Sequence, residues 1–313
     1  MLSRIAESLY WMNRYVERTD CILRMIRVNY IASLDKSHDV EFSWKHVLKT
    51  FSALADNAIE VLQYNTPATL NYLINDKTNV NSVINLITKA RENARGVQDH
   101  ITIELWECLN KYYLEVRNWQ DNNLVYSTDF LQNLGSLSQN SFAFYGTSEV
   151  SMPRTEGWYY MNMGKFLERA IQTSNILDVK FLEFSQLGKS SLNQTYWQEL
   201  LKSVSGFELY LKSYRTGVDS ENVINMLIQN MNFPRSILYS INRFNQCHEK
   251  LRNHAHPEAH SLIQFKIGKS SSMVLYADLA EEVKNGLTQF LLSINDELYE
   301  AANEINKSYF GYN

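Results

Sequence analysis

The sequence predicts an all-α protein built as a tandem duplication of a helical-bundle unit, two similar halves in a pseudo-two-fold relation. Three observations lead there. Apolar residues recur in alternating steps of four and three, the stripe of a helix packed at a shallow angle in a bundle. Among 313 residues there are 4 prolines, Pro67, Pro153, Pro234 and Pro257, each where that period breaks, and strand patterns are scarce. Finally, the text from Trp11 to Thr19, WMNRYVERT, returns at Asn162 to Ala170 as NMGKFLERA.

The first helix carries its stripe on Ile5, Leu9, Met12, Val16, Thr19, Leu23, Ile26 and Tyr30. The second copy keeps it on Met163, Leu167, Ala170, Ser174, Leu177 and Phe181. Further helices are expected near Ser43 to Gln63, Val80 to Arg95, His100 to Trp119 and Thr128 to Phe144. The second half should hold helices near Gln194 to Tyr214, Pro234 to Arg252 and Asp278 to Lys307. Asn253 to Ser272, with HAHPEAHS and GKSSS, reads as an inter-helix excursion without a counterpart in the first half.

Two further blocks follow the first in order. Trp44, Lys49 and Ser52 face Trp197, Lys202 and Ser205, and Asn71, Leu73, Ile74, Ser82, Val83 and Ile87 face Asn225, Leu227, Ile228, Ser236, Ile237 and Ile241. Collinear blocks with slightly drifting offsets are what duplication plus small loop insertions leaves. The expected halves are 1–150, carrying Glu17 and Arg18, and 151–313, carrying Glu168 and Arg169.

A net charge of -4 gives no general nucleic-acid footprint, so any basic site must be local. The 3 cysteines, Cys21, Cys108 and Cys247, are far apart and lack Cys-x-x-Cys spacing, as expected of reduced thiols. Arg4, Glu7 and Arg14 interrupt what a signal peptide would need as an apolar run, and no stretch has the apolar length of a membrane span. The expectation is a soluble, cytoplasmic protein, with no membrane and no nucleic-acid partner.

The chemistry-bearing residues cluster as charges on helices. Arg14 and Arg18 form a like-charged i,i+4 pair, repeated by Lys165 and Arg169, and Arg91 and Arg95 form another beside Glu92. Each such pair costs a helix roughly 0.2 to 0.5 kcal/mol unless an anion sits between the cations. Two readings remain open: Glu-Arg bridges that fix how helices dock, or binding of a carboxylate or phosphate, which the planar guanidinium meets with two bonds. Arg235, where the first half has Asn81, joins Arg14, Arg18, Arg91, Glu92, Arg95, Lys165 and Arg169 as a candidate ligand contact. Glu17 and Glu168 are the candidate general bases. His254, His256 and His260 could hold a metal, but their spacing matches no zinc pattern, so no metal and no cofactor is expected. The chain lacks Glu-x-x-His, Gly-x-Ser-x-Gly, His-Glu-x-x-His and a complete phosphate loop, and no nucleophile stands out.

MLSRIAESLYWMNRYVERTD, with the later LERA and ARENAR, resembles the bacterial alpha-E family, all-helical proteins named for a recurring Glu-Arg motif. The resemblance runs from Met1 to roughly Lys307. Asn13 departs from it where a Gly precedes the Arg-Tyr, while the second copy has Gly164. The resemblance implies a partnership with circularly permuted ATP-grasp proteins, beside transglutaminase-like and proteasome-like proteins, in a peptide-synthesis or peptide-modification setting. It implies an accessory or substrate-binding subunit rather than an enzyme; an enzyme acting on peptides or amides and a purely structural interaction scaffold are the alternatives.

Overall fold

A computed structural model describes residues 1–34, 42–187, 193–215, 217–251 and 257–311. Among the described residues the secondary structure is helical throughout: fifteen α-helices, two short 3-10 turns and no strand. In chain order the helices are α1 (Ser3–Ser33), α2 (Lys45–Phe51), α3 (Asp56–Leu62), α4 (Thr66–Ile74), α5 (Val83–Arg95), α6 (Ile103–Asp121), α7 (Phe130–Ser151) and α8 (Glu156–Leu187). They continue as α9 (Asn193–Ser203), α10 (Phe207–Ser213), α11 (Ser220–Ile228), α12 (Ile237–Glu249), α13 (Pro257–Leu275), α14 (Leu279–Asn285) and α15 (Leu287–Phe310). No described helix is long and apolar enough to cross a membrane. Cys21, Cys108 and Cys247 are free thiols.

The chain divides into two compact units. One joins Met1–Arg14 to Pro153–Asn313 and the other is Tyr15–Met152. The first fourteen residues pack with the segment that follows Met152. The N-terminal ammonium meets Glu156 at 2.6 Å, Tyr10 packs on Phe310, and α8 closes on the backbone of Tyr10 at Gly164.

In the unit Tyr15–Met152, α6 lies between α5 and α7. Leu86, Ile87, Leu105, Leu109, Tyr112, Leu134 and Leu137 close its core, together with Val16, Ile22, Leu23 and Ile26 of α1. In the other unit α8 packs on α12 and α15, and α13 on α12 and α15. Met163, Leu167, Ile237, Ile241, Ile263, Ile267, Leu291 and Leu298 are buried there. Most of the stripe expected on each long helix is buried, Leu9, Met12, Val16, Thr19, Leu23 and Ile26 on α1 and Met163, Leu167, Ala170, Ser174 and Leu177 on α8, while Ile5, Tyr30 and Phe181 at their ends are half-buried.

Several expected helices are interrupted, for local reasons. The stretch Ser43 to Gln63 divides because Ser52 turns extended, its Oγ donating to Leu48 O at 2.7 Å, and α3 restarts only after an extended Ala55. Gln194 to Tyr214 divides at Ser205, which takes φ 54 in the left-handed region, with Ser205 N bonded to Lys202 O and Gly206 N to Leu201 O. Those two bonds are a Schellman C-cap. Asp278 to Lys307 divides at Gly286, where φ is 100.

The larger correction concerns Asn253 to Ser272. Its described part is helical, within the 19-residue helix α13. Gly268 and a run of serines interrupt the text, yet His260, Ile263, Ile267, Ser270 and Val274 are buried on one side, and Pro257 occupies the first helical position, where its missing N–H costs nothing. The helix is read correctly only from the buried stripe. Three pairs of helices share lengths: α4 and α11 have 9 residues, α5 and α12 have 13, and α6 and α13 have 19.

Candidate functional site

The two Glu-Arg segments lie on the long helices α1 and α8. Glu168, on the inner face of α8, is 0% exposed and Arg14, on α1, is 4% exposed. Arg14 Nε donates to Glu168 Oε2 at 2.9 Å, and Gln172 Nε2, one turn along α8, donates to Glu168 Oε1 at 2.7 Å. The Arg14 guanidinium also lies 4.4 Å from the Trp11 ring centroid and 5.5 Å from that of Tyr10. Burial alone would push the Arg14 pKa down, but Tyr10 and Glu168 hold it above the ordinary arginine range. Burial is also what raises the Tyr10 hydroxyl. A buried charge needs such a shell, because an ion taken from water without partners is expensive.

Glu17, in the unit Tyr15–Met152, is 1% exposed and accepts the Tyr145 hydroxyl at 2.6 Å. A general base must reach the proton it removes. With Glu17 and Glu168 enclosed and accepting bonds from protein donors, the general-base reading gains nothing from this geometry.

Arg18 and Arg169 do related jobs within their own units. Arg18 Nη1 donates to Asn81 Oδ1 at 2.8 Å, in the turn that leads into α5. Arg169 Nη1 donates to the Pro234 carbonyl at 3.1 Å, in the turn that leads into α12. Thr173 Oγ1 fixes the same turn by donating to the Arg235 carbonyl at 2.9 Å. Arg235 therefore contributes its backbone to helix docking, and its side chain is half-buried. Lys165 Nζ lies 4.6 Å from the Phe166 ring centroid, with the Arg169 and Arg243 guanidiniums 5.4 and 5.6 Å from it.

Arg91, Glu92 and Arg95 end α5, and their surroundings are different. Arg91 Nε donates to Asn110 Oδ1 at 2.8 Å, while its guanidinium lies 4.6 Å from the Tyr113 ring centroid and 5.5 Å from that of Trp106, all on α6. Glu92 lies 3.4 Å from Arg91 Nη1 and 3.8 Å from Arg95 Nη1. The anion that the like-charged pair calls for is thus supplied by the chain itself. Glu92 and Arg95 are exposed, and Arg91 is held by packing with an edge open to solvent. The aromatic partners on α6 were missed in the sequence because they are i and i+7 on another helix, a spacing that shows only once α5 and α6 are known to be neighbours.

Of the candidate metal ligands, His254 and His256 lie outside the described residues. His260 is buried on α13, its ring stacked on that of His248 with centroids 4.1 Å apart. No group of three or more His, Cys, Asp or Glu able to hold a metal occurs among the described residues. His248 belongs to a hydrogen-bonded chain: Tyr309 Oη at 2.8 Å from its Nε2, Gln264 Oε1 at 3.0 Å from its Nδ1, and Gln264 Nε2 donating to Asn245 Oδ1 at 2.7 Å. Gln264 spends its N–H on Asn245, so its oxygen accepts from His248 Nδ1, and Tyr309 donates to Nε2. Burial pushes the His248 pKa down to about 4.

A family model, Alpha-E, described as a predicted alpha-helical domain with a conserved ER motif, matches residues 1–310. No curated protein and no solved structure matches the chain.

Proposed function

The chain belongs to the Alpha-E family, and on that premise we propose that it is a helical accessory or substrate-binding subunit of an ATP-grasp-linked peptide synthesis or modification system. Its partner would be a circularly permuted ATP-grasp protein, with transglutaminase-like or proteasome-like proteins in the same system. The observation that carries the binding role is the Arg91 guanidinium, held edge-out by Asn110, Tyr113 and Trp106 beside an exposed Arg95. A cation preorganised in this way loses little freedom on meeting a carboxylate or phosphate. Glu92 shares that ground, so an anionic peptide or phosphate would compete with it for both arginines.

The division of labour follows from the bonds each group makes: Arg14, Glu17 and Glu168 are buried, while Arg18 and Arg169 are half-buried like Arg91. Arg14, Arg18, Glu17, Glu168 and Arg169 make bonds inside their units, which supports an architectural role for the Glu-Arg motif. Arg91 and Arg95 remain the better ligand contacts.

The same reading includes a tandem duplication of one helical unit. Its support is the match in helix length between α4 and α11, α5 and α12, and α6 and α13, each pair starting 154 residues apart. The equivalent anchoring of Arg18 at Asn81 and Arg169 at Pro234 adds to it.

Co-expression with the ATP-grasp protein of the same locus tests the subunit role. The two should co-purify, and Arg91→Ala with Arg95→Ala should weaken retention. No association under conditions where the ATP-grasp protein is active would contradict it.

A further inference from the structure

The end of α12 and the first turns of α13 border an open cavity of about 540 Å³, lined by Glu249, His260, Ser261, Gln264 and Phe265. That size suits a small organic molecule. Its wall is chemically one-sided.

His260 is 7% exposed, and its Nε2 lies 3.2 Å from the His248 carbonyl oxygen. A carbonyl only accepts, so Nε2 of the neutral ring carries the proton and Nδ1 keeps the lone pair. Nδ1 has no hydrogen-bond partner among the described residues. The ring cannot turn freely, because it is stacked on His248, which Tyr309 and Gln264 hold by both of its nitrogens. Glu249 brings a carboxylate to the same cavity, with only a 3.5 Å contact from Asn245 Nδ2 and no cationic partner among the described residues. Phe265, largely exposed, adds an apolar surface.

We infer that this cavity binds a primary ammonium group, its N–H bonds accepted by the Glu249 carboxylate and His260 Nδ1, with the carbon skeleton against Phe265. An ammonium carries three donors and no acceptor, which complements a wall offering a negative charge and an imidazole lone pair. Two such donors are too few for a zinc site, and the volume far exceeds one ion. The inference does not depend on the subunit role proposed above.

Calorimetric titration of the full chain with phenethylamine, and with 2-phenylethanol as its uncharged counterpart, tests the assignment. Phenethylamine should bind saturably at one site, and the alcohol at least about tenfold more weakly, as loss of a charge-assisted bond implies. Glu249→Gln, at an exposed position, should leave the thermal melt unchanged and weaken the amine by about tenfold. The ¹⁵N resonance of His260 Nδ1 should shift on adding the amine to the wild-type chain, a readout that needs no substitution of a buried ring. Absence of amine binding, equal binding of the alcohol, or binding that survives Glu249→Gln would each overturn the inference. So would zinc binding that moves the His260 resonance where the amine does not.

Discussion

Arg14 Nε lies 2.9 Å from Glu168 Oε2, and both side chains are almost wholly withdrawn from water. Two similar segments, WMNRYVERT and NMGKFLERA, thus meet in one bond within one compact unit: the cation comes from the first and the carboxylate from the second. An ion pair this deep is poor evidence of stability gained over an apolar core, but removal of one partner strands the other. That asymmetry gives a physical reason to keep both residues without any ligand.

Gly164 should resist enlargement although it sits in a helix. A Cβ there would lie 2.1 Å from the Tyr10 carbonyl oxygen, a backbone atom that cannot swing aside. Gly164→Ala should therefore destabilise by about 1 to 3 kcal/mol, overcoming the roughly 1 kcal/mol of helix propensity gained. Gly268, with nothing within 4 Å of an added Cβ, should respond to Gly268→Ala with a gain of about 0.5 to 1 kcal/mol. Urea denaturation of the two variants reads both signs, and equal responses would count against the close crossing.

His248 makes stability depend on pH. Its folded pKa, about 4, lies below an unfolded value near 6.5, so the unfolded chain binds more protons between them. The stabilising effect is complete above about pH 6.5 and is lost as the pH falls towards about 4, amounting to roughly 3 kcal/mol. His248→Gln should be less stable than wild type at pH 7, and the gap should narrow as the pH falls. Parallel stability curves would show that His248 titrates alike in both states.

Arg91 and Arg95 should matter for binding more than for folding. Arg95→Ala, at an exposed position sharing Glu92 at 3.8 Å, should change stability by less than about 0.5 kcal/mol. Association with the proposed ATP-grasp partner, followed by surface plasmon resonance, should weaken in this variant and should weaken further with added salt, which screens surface charges. Retention identical to wild type at low salt would remove Arg95 from the interface.

The legible parts of the fold are those written as periodicity. The stripes of α1 and α8 and the cationic pairs could be read directly, because residues four or three apart share a helix face. The interruptions at Ser52 and Ser205 could not, since each depends on a serine adopting a backbone state that its identity only permits. α13 was hidden by Gly268 and a run of serines, outweighed in the fold by Ile263, Ile267 and Val274. Of the candidate site, the types of residue were visible but their partners were not. Nothing local pairs Arg14 with Glu168 across 154 positions, or His248 with Tyr309 across 61.

The equilibrium unfolding free energy of Glu168→Gln decides whether the Glu-Arg motif is first an architectural device. Loss of the carboxylate leaves the buried Arg14 guanidinium without its counter-charge, and a destabilisation of about 3 to 5 kcal/mol is expected. A variant as stable as wild type that no longer associates with the proposed ATP-grasp partner would overturn that role and return Glu168 to the functional surface.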